Sequence, residues 1–186
     1  MEKYSFDGKI LIVGFGRIGQ GVVPLLLRHF SVPPERMTIV TADTRGENVA
    51  REYGVRFIID PLLPHNYEHI VKTHIGPGDF LLNVSVNVSS AALIEYCQRN
   101  TVLYLDTVME PWLGFYTDPS LSISQRSNYA LREEALKLRS LPLKGPRPTA
   151  VLAHGANPGL VSHFVKQALL NIAADTSFKT ETPTTR

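Results

Sequence analysis

The sequence predicts an α/β fold built on a doubly wound parallel sheet of the Rossmann type. Apolar runs of strand length alternate along the chain with stretches of helical periodicity, which is the pattern of consecutive βαβ units. The first apolar run, residues 9–13, leads directly into Gly14–Gly19 and then into a helical pattern. A second apolar run ends at Asp43. This order of strand, glycine-rich turn, helix and strand-end acid is typical of dinucleotide-binding folds.

The glycine-rich turn has the GxGxxG spacing, in which each glycine has its own role. Gly14 permits the tight turn, Gly16 lets the backbone approach a pyrophosphate, and Gly19 lets the helix pack closely on the strand. Free N–H groups and the helix dipole then favour the phosphate charge. Asp43 stands near the spacing of roughly 20 residues expected for the acid that binds the adenosine ribose, which favours NAD over NADP. Arg45 weakens that preference, and the alternatives are a turn without a ligand and an ordinary strand-end acid.

Turn residues and helix caps set the boundaries of the predicted elements. Pro24 should bend the first helix, Gly54 ends the second and Gly76–Gly78 ends the third. Ser89 or Ser90 caps the fourth helix. The predicted strands are residues 9–13, 37–42, 55–59, 80–84, 102–105 and 149–153. The predicted helices are residues 17–29, 46–53, 66–74, 90–99, 128–139 and 160–174.

Composition describes an ordinary soluble protein of 186 residues, with 44% hydrophobic and 19% charged residues. A net charge of +2 without a basic run gives no electrostatic case for nucleic acid. The N-terminus resembles no signal segment, and no apolar stretch approaches a membrane span, so we expect a cytoplasmic protein. The only cysteine, Cys97, lies in an apolar stripe with Leu93 and Ile94 and is predicted to be a buried small hydrophobe.

Polar residues follow the fourth predicted strand, at the sheet edge where ligands of such folds bind. The segment Ser85–Ser90 offers hydroxyl groups and the amide of Asn87 to a nicotinamide or an amine. Helix capping is the alternative, and it accounts for at least one of these residues.

Two acids and three aromatic residues follow the fifth predicted strand. A carboxylate of Asp106 or Glu110 at this edge can hold an ammonium group or accept its proton. Trp112, Phe115 and Tyr116 lie on an irregular loop and must pack on the core, a second subunit or a cationic ligand. Packing on the core or on a second subunit is the favoured role for the aromatic residues. Glu110 is a stronger candidate than they are for a role in binding or catalysis.

A second glycine-rich turn, His154–Gly159, follows the last predicted strand. Asn157 precedes a proline and is therefore held extended, so its amide can point at a ligand. The alternative is an Asn-Pro-Gly turn chosen for its backbone preferences alone. The sequence has no Cys/His array, so no metal site is predicted.

Several segments together resemble the bacterial homospermidine synthases, within the wider saccharopine-dehydrogenase-like group. The resemblance runs from about Lys9 to the last residue. The Glu-Pro-Trp-Leu-Gly-Phe-Tyr and Gly-Ala-Asn-Pro-Gly stretches are far more particular to the family than the glycine motif. The segments that carry the resemblance are Gly14–Gly19, Asp106–Tyr116, Ser127–Arg132, Gly155–Ser162 and Phe164–Leu169.

The resemblance implies that two putrescines become homospermidine and ammonia, with NAD as a recycled hydride carrier. It assigns catalysis to Glu110, Asn157 and Asn87. The family commonly has aspartate where Asn87 stands, which puts diamine binding at that position in doubt. The residues assigned to NAD binding are Gly14, Phe15, Gly16, Arg17, Ile18, Gly19, Asp43, Ser85, Asp106, Thr107 and Ala156.

Family members are more than twice as long as this chain. We therefore expect residues 1–175 to form the Rossmann-type domain and residues 176–186 to begin a substrate and dimerisation domain that is missing. The full-length protein is expected to be a homodimer, and these 186 residues alone are expected to be inactive.

Two other functions are compatible with a dinucleotide-binding fold. A related dehydrogenase acting on an amino acid or a carboxylated polyamine would need a paired arginine or lysine near the site. After the predicted strands only Arg17 and Arg45 qualify, and both are expected near the cofactor. A non-enzymatic nucleotide sensor would have no need of a substrate-facing acid such as Glu110.

Overall fold

The structure, a computed structural model, describes residues 3–143, 145, 147–153 and 160–176. Contacts divide the chain into two compact units, Met1–Ala153 and His154–Arg186. The strands of the first unit are β1 (Tyr4–Ser5), β2 (Ile10–Val13), β3 (Phe30–Ser31), β4 (Met37–Thr41), β5 (Arg56–Ile59), β6 (Phe80–Asn83), β7 (Leu103–Asp106) and β8 (Ala150–Val151). Its α-helices are α1 (Arg17–His29), α2 (Glu47–Glu52), α3 (Tyr67–His74), α4 (Ser90–Arg99) and α5 (Asn128–Lys137). In the second unit the described helix is α6 (Val161–Asp175).

One parallel sheet of six strands organises the described part of the first unit, in the order β5-β4-β2-β6-β7-β8. Counted along the chain, this is the 3-2-1-4-5-6 order of the Rossmann fold, so the predicted doubly wound parallel sheet is confirmed. β2 pairs with β4 on one side and with β6 on the other, where Val13 lies opposite Asn83. Successive strands are added on one side of β2 up to β5 and then on its other side from β6 onwards. The crevice at this topological switch point, between β2 and β6, is where such sheets bind ligands.

Both faces of the sheet are covered, which explains why its central strand is apolar throughout. All of β2 is buried. Because successive side chains of a strand point to opposite faces, Leu11 and Val13 join the core beneath α3 and α4. Ile10 and Ile12 join the core formed with α1 and α2. A central parallel strand between two helix layers therefore reads as a continuous hydrophobic run.

The predicted helices and main strands are present, and their boundaries differ by a few residues. Asp106 is the last residue of β7 rather than the first residue after it. The helix predicted over residues 128–139 changes from α to 3₁₀ geometry at Leu138. The predicted last strand of the sheet is reduced to Ala150–Val151. The short parallel pair β1–β3 was not predicted, since two-residue strands are too short to show periodicity.

The predicted local signals act as expected at several positions. Ser89, rather than Ser90, caps α4 by accepting a hydrogen bond from Ala92 N at 3.2 Å. Gly54 follows α2 with a left-handed φ of +67°. Pro24 lies inside α1 without ending it, and the bend predicted there stays a prediction. Cys97 is completely buried, and desolvation raises the pKa of its thiol.

Within the described ranges, no helix is both long enough and apolar enough to cross a membrane.

Candidate functional site

The glycine-rich turn between β2 and α1 brings the backbone close to the loop that follows β6. Gly14 has φ +84°, and a Cβ built on it would lie 2.6 Å from Cα of Ser85. Gly14 N also donates to Val40 O at 2.8 Å, which ties the turn to β4. A side chain at position 14 would therefore separate the two loops that border the crevice.

The other two glycines of the motif differ in their surroundings: Gly16 borders open space, whereas Gly19 is tightly packed. A Cβ on Gly16 would contact nothing within 4 Å, so its backbone faces open space of the kind a pyrophosphate needs. A Cβ on Gly19 would lie 2.9 Å from the ring of Phe15 and 3.3 Å from Val84. The turn thus has the close helix packing and the open backbone that dinucleotide binding requires, and the residues present fit the cofactor.

The remaining motif residues divide between core and surface. Phe15 is 2% exposed and packs edge-on against Phe57, with ring centroids 5.9 Å apart. Arg17 and Ile18 form the exposed first turn of α1. Gly16 caps this helix without a side-chain hydrogen bond, so the first N–H groups are available to an anion. Phe15 can reach a cofactor through its backbone, since its side chain belongs to the core.

Asp43 is bound by a neighbouring arginine. The guanidinium of Arg45 donates to both carboxylate oxygens, from Nε at 3.0 Å and from Nη2 at 2.7 Å. The backbone N of Arg45 donates to the same carboxylate at 2.9 Å. This hydrogen bonding by Arg45 lowers the pKa of Asp43. Both side chains are open to solvent, at 41% and 80% exposure, so a ribose or a phosphate can reach either of them.

A buried hydrogen-bond network lies beneath the crevice, at the carboxyl ends of β6, β7 and β8. Ser85 Oγ donates to Asn83 Oδ1 at 2.6 Å, and Asn83 Nδ2 donates to the hydroxyl of Tyr104 at 3.2 Å. Tyr104 in turn donates to Asp106 at 3.1 Å, and Ala153 N donates to the other carboxylate oxygen at 2.8 Å. The network holds the ends of three adjacent strands together.

Asp106 is thus engaged within the protein rather than facing the crevice. It is 3% exposed, and burial raises the pKa of its carboxyl despite the hydrogen bonds from Ala153, Tyr104 and Ser90. Thr107, which follows it, is half-buried, and its N donates to Asn83 O at 3.3 Å. The assignment of Asp106 and Thr107 to NAD binding stays a prediction. Sequence reasoning missed Asn83 and Tyr104, although a polar residue ending an apolar strand was an available signal.

Asn87 and Glu110 meet at the edge of the crevice. Asn87 has φ +62°, rare for a residue with a side chain, and its N donates to Glu110 Oε2 at 3.3 Å. Ser90 holds the backbone of Glu110 from the first turn of α4. Glu110 is half-buried and Asn87 is exposed. Two predicted catalytic residues that are distant in the sequence are therefore in contact.

A cavity of ≈ 620 Å³ opens beside Glu110. Its lining residues include the acids Glu110, Asp118 and Glu134 and the aromatic residues Trp112 and Phe115. Among the described residues that line it, none is a lysine, an arginine or a histidine. Carboxylates and aromatic faces without cations favour a positively charged ligand.

Of the three aromatic residues of this loop, Trp112 packs on the core as predicted, whereas Tyr116 is 44% exposed. Trp112 contacts the core beneath α3 and α4, and its ring centroid lies 5.5 Å from that of Tyr67 on α3. Phe115 contacts Tyr116 at 5.6 Å in an edge-on arrangement.

Two predicted site residues, Asn157 and Ala156, lie outside the described residues. Across the described ranges, no group of three or more His, Cys, Asp or Glu side chains is arranged to hold a metal ion.

Comparison with known proteins agrees with this geometry. Residues 10–146 match the family described as the saccharopine dehydrogenase NADP binding domain. The chain belongs to this family. The match covers the glycine turn, the whole of residues 107–127 (the acidic loop, between β7 and α5) and all but the last strand of the main sheet.

Relatives of this saccharopine dehydrogenase-type domain include two homospermidine synthases. The one from Blastochloris viridis is 45% identical over 186 residues, which is 98% of this chain and 39% of the relative. The one from Mesorhizobium japonicum is 40% identical over 182 residues, covering 96% of this chain and 37% of the relative. The chain therefore spans about two fifths of the length of these curated relatives.

A solved structure is similar as well. The homospermidine synthase of Legionella pneumophila, crystallised in complex with NAD, superimposes with a TM-score of 0.72 at 40% identity. The likeness covers 97% of this chain and 36% of that protein.

Proposed function

We propose that the protein containing this domain is an NAD-dependent homospermidine synthase, which converts two putrescines into homospermidine and ammonia. One observation supports this most directly. The segment Ser85–Asn87 touches Gly14 of the dinucleotide turn at one end and the Glu110 carboxylate at the other. An acid that can bind an amine therefore stands next to the crevice expected to hold the cofactor. The relatives named homospermidine synthase support the same function.

Each part of the crevice would hold one part of the dinucleotide. The open backbone at Gly16 and the uncapped start of α1 suit the pyrophosphate. Asp43 suits the hydroxyl groups of the adenosine ribose, and its negative charge favours NAD over NADP. When bound, NAD supplies a hydride acceptor that takes a hydride from the amine-bearing carbon of putrescine and later returns it.

The acidic residues would bind and orient the amines. Glu110 can hold an ammonium group by a charge-assisted hydrogen bond or accept a proton from it. Loss of hydride and proton leaves an imine, to which the second putrescine adds through a new C–N bond. The original C–N bond then breaks to release ammonia, and hydride return completes homospermidine. Hydride and proton are both restored, so two diamines yield one triamine and ammonia. Asn87 and Asn157 are proposed to orient the amines at the same carbon.

The cavity beside Glu110 has the chemistry that a diamine needs. Asp118 and Glu134 add negative charge to the cavity, while Trp112 and Phe115 can cover a cation or a methylene chain. A carboxylated substrate would meet three carboxylates there and no described cation. The amino-acid dehydrogenase alternative therefore has less support than the diamine reaction.

The deciding experiment incubates the full-length protein with NAD and putrescine deuterated at its amine-bearing carbons. We expect homospermidine that retains the transferred deuterium, together with ammonia and no accumulation of NADH. Accumulating NADH without a new polyamine would contradict the proposal. We further propose that the 186 residues alone, assayed in parallel, bind NAD without turnover, and that the full-length protein is a homodimer.

Glu110→Gln is the matched variant, since it keeps the size of the side chain and removes its charge. We expect NAD binding to be retained and turnover to fall by roughly 10²-fold or more, the lower range for loss of an acid–base group. Unchanged turnover would contradict the role of Glu110, and NAD binding without any turnover in the wild type would favour a nucleotide sensor.

A further inference from the structure

Ser90 has no capping function, although it stands at the start of α4. The cap is provided by Ser89, whose Oγ accepts from Ala92 N. Ser90 is 0% exposed, so its hydroxyl is fully withdrawn from solvent. Buried hydroxyl groups are retained with hydrogen-bond partners, and the partners of Ser90 lie about twenty residues away in the acidic loop.

Three hydrogen bonds join Ser90 to that loop. Ser90 N donates to Glu110 O at 2.8 Å, and Glu110 N donates to Ser90 Oγ at 3.1 Å. The hydroxyl also donates to Val108 O at 3.2 Å. All three bonds fall on the main chain within two residues of Glu110. The hydroxyl also neighbours the side chains of Tyr104 and Asp106, and its single proton can be donated to Asp106 in place of Val108 O.

The acidic loop needs such an anchor because it has little regular structure of its own. After Asp106 the next α-helix is α5, which begins at Asn128, and between them lies a single 3₁₀ turn, Phe115–Thr117. Ser90, in contrast, belongs to the rigid first turn of a buried helix. The carboxylate of Glu110 then accepts from Asn87 N, so it is held at both its backbone and its side chain.

We propose that Ser90 is the positioning residue for Glu110, setting the place of its carboxylate against the reacting amine. This inference rests on the proposed function, in which Glu110 binds the amine. Ser90 does not touch substrate or cofactor in this role. Its hydroxyl matters because a misplacement of about 1 Å at a reacting group can cost roughly 10²-fold in rate.

The test uses the full-length protein with Ser90→Ala, Ser90→Cys and Glu110→Gln, and with Ser90→Ala combined with Glu110→Gln. Cysteine fills the space of the serine side chain but is a much weaker hydrogen-bonding group. Ser90→Cys therefore separates the loss of the hydrogen bonds from the loss of side-chain volume in Ser90→Ala. Ser127→Ala is the control for loss of a serine hydroxyl, because Ser127 Oγ serves the start of another helix, α5, where it accepts from Ala130 N at 3.3 Å.

We expect Ser90→Ala and Ser90→Cys each to lower kcat by roughly tenfold to 10²-fold, with the Kd for NAD changed less than about twofold. In the Glu110→Gln background, Ser90→Ala should lower kcat no further than about twofold, because the two residues act through one carboxylate. Hydrogen exchange should show faster exchange of the Glu110 amide in Ser90→Ala, and Ser127→Ala should leave kcat and that amide unchanged.

Three results would overturn the inference. A Ser90→Ala variant with wild-type kcat would leave Ser90 a packing residue. Additive losses in the double variant would show that Ser90 acts independently of Glu110, and a parallel loss of NAD affinity would show general distortion of the domain. If the wild type makes no homospermidine, or if Glu110→Gln is fully active, the proposed function fails and this inference fails with it. If Glu110→Gln is impaired and Ser90→Ala is not, this inference alone fails.

Discussion

Gly14 and Gly16 are two residues apart, and their surroundings differ. At Gly14 the backbone is left-handed and the space of a Cβ is already taken by Ser85. At Gly16 the backbone is extended, with φ −70°, and the space of a Cβ is empty. The fold requires the first glycine, and the proposed pyrophosphate site is the reason for the second.

Substitution by alanine should separate these two requirements. Gly14→Ala should lower the free energy of unfolding by about 1–3 kcal/mol from the left-handed backbone alone, and further from the clash with Ser85. Gly16→Ala should leave stability nearly unchanged and raise the Kd for NAD roughly tenfold, a loss of about 1.4 kcal/mol. Urea denaturation and calorimetric titration measure the two effects. Equal stability losses in both variants would contradict this division.

Arg45 combines with Asp43 to set the charge at the adenosine end of the crevice. The carboxylate is proposed to bind a ribose, and the guanidinium is the candidate partner for an added phosphate. Arg45→Ala should therefore raise the Kd for NADP about tenfold, the effect of losing a hydrogen bond from a charged group. The Kd for NAD should change less than about twofold. Arg51→Ala is the control, since Arg51 pairs with Glu47 on α2 rather than with Asp43.

The same pair gives a pH dependence with a definite sign. Arg45 lowers the pKa of Asp43 below its usual 3.8, so the favourable pairing is complete above pH 3.8 and is lost as pH falls through the lowered value. Arg45→Ala should return the pKa of Asp43 towards 3.8. An NMR titration of the Asp43 carboxyl carbon measures this shift, and an unchanged midpoint would show that the pair does not persist in solution.

At the scale of elements, α4 connects the core to the site through its first turn. Ser89 closes the helix end, while Ser90 reaches the acidic loop. Further along the same face of the helix as Ser90, Leu93, Ile94 and Cys97 are buried in the core beneath α3 and α4. The helix is therefore anchored by apolar packing and presents polar contacts to the crevice.

Ser89→Ala should destabilise the domain by about 1 kcal/mol, the usual effect of losing a serine cap. The reason is that Ala92 N would lose the acceptor it now has at 3.2 Å. Urea denaturation measures the change, and Ser5→Ala, at an exposed position of β1, is the control expected to stay within ±0.5 kcal/mol. A loss at Ser5 equal to that at Ser89 would argue against the cap.

Local signals also explain which elements the sequence predicted well. The buried run of β2, the helix over 17–29 and the stop at Gly54 each depend on residues close together in the chain. The 3₁₀ continuation after α5 and the short pair β1–β3 do not, because they depend on what those segments pack against. Periodicity is visible only in segments long enough to repeat it.

At the scale of the whole first unit, the order of the strands in the sheet decides which strand ends border the crevice. β2 lies beside β6, so the glycine turn contacts Ser85. β7 lies beside β8, so the carboxylate of Asp106 accepts a hydrogen bond from Ala153 N. The candidate catalytic pair Asn87 and Glu110 also comes together through this order, across the carboxyl ends of β6 and β7.

The sequence by itself determined the Rossmann-type alternation, the glycine turn, the strand-end acid and Glu110 as a candidate, because each is a local pattern of a few neighbouring residues. Only the tertiary structure decided that Asp106 is buried, that Arg45 forms an ion pair with Asp43, and that Ser90 hydrogen-bonds to the backbone of Glu110. The physical reason is that burial and hydrogen-bond partners depend on segments far apart in the chain, which meet only when the sheet has formed.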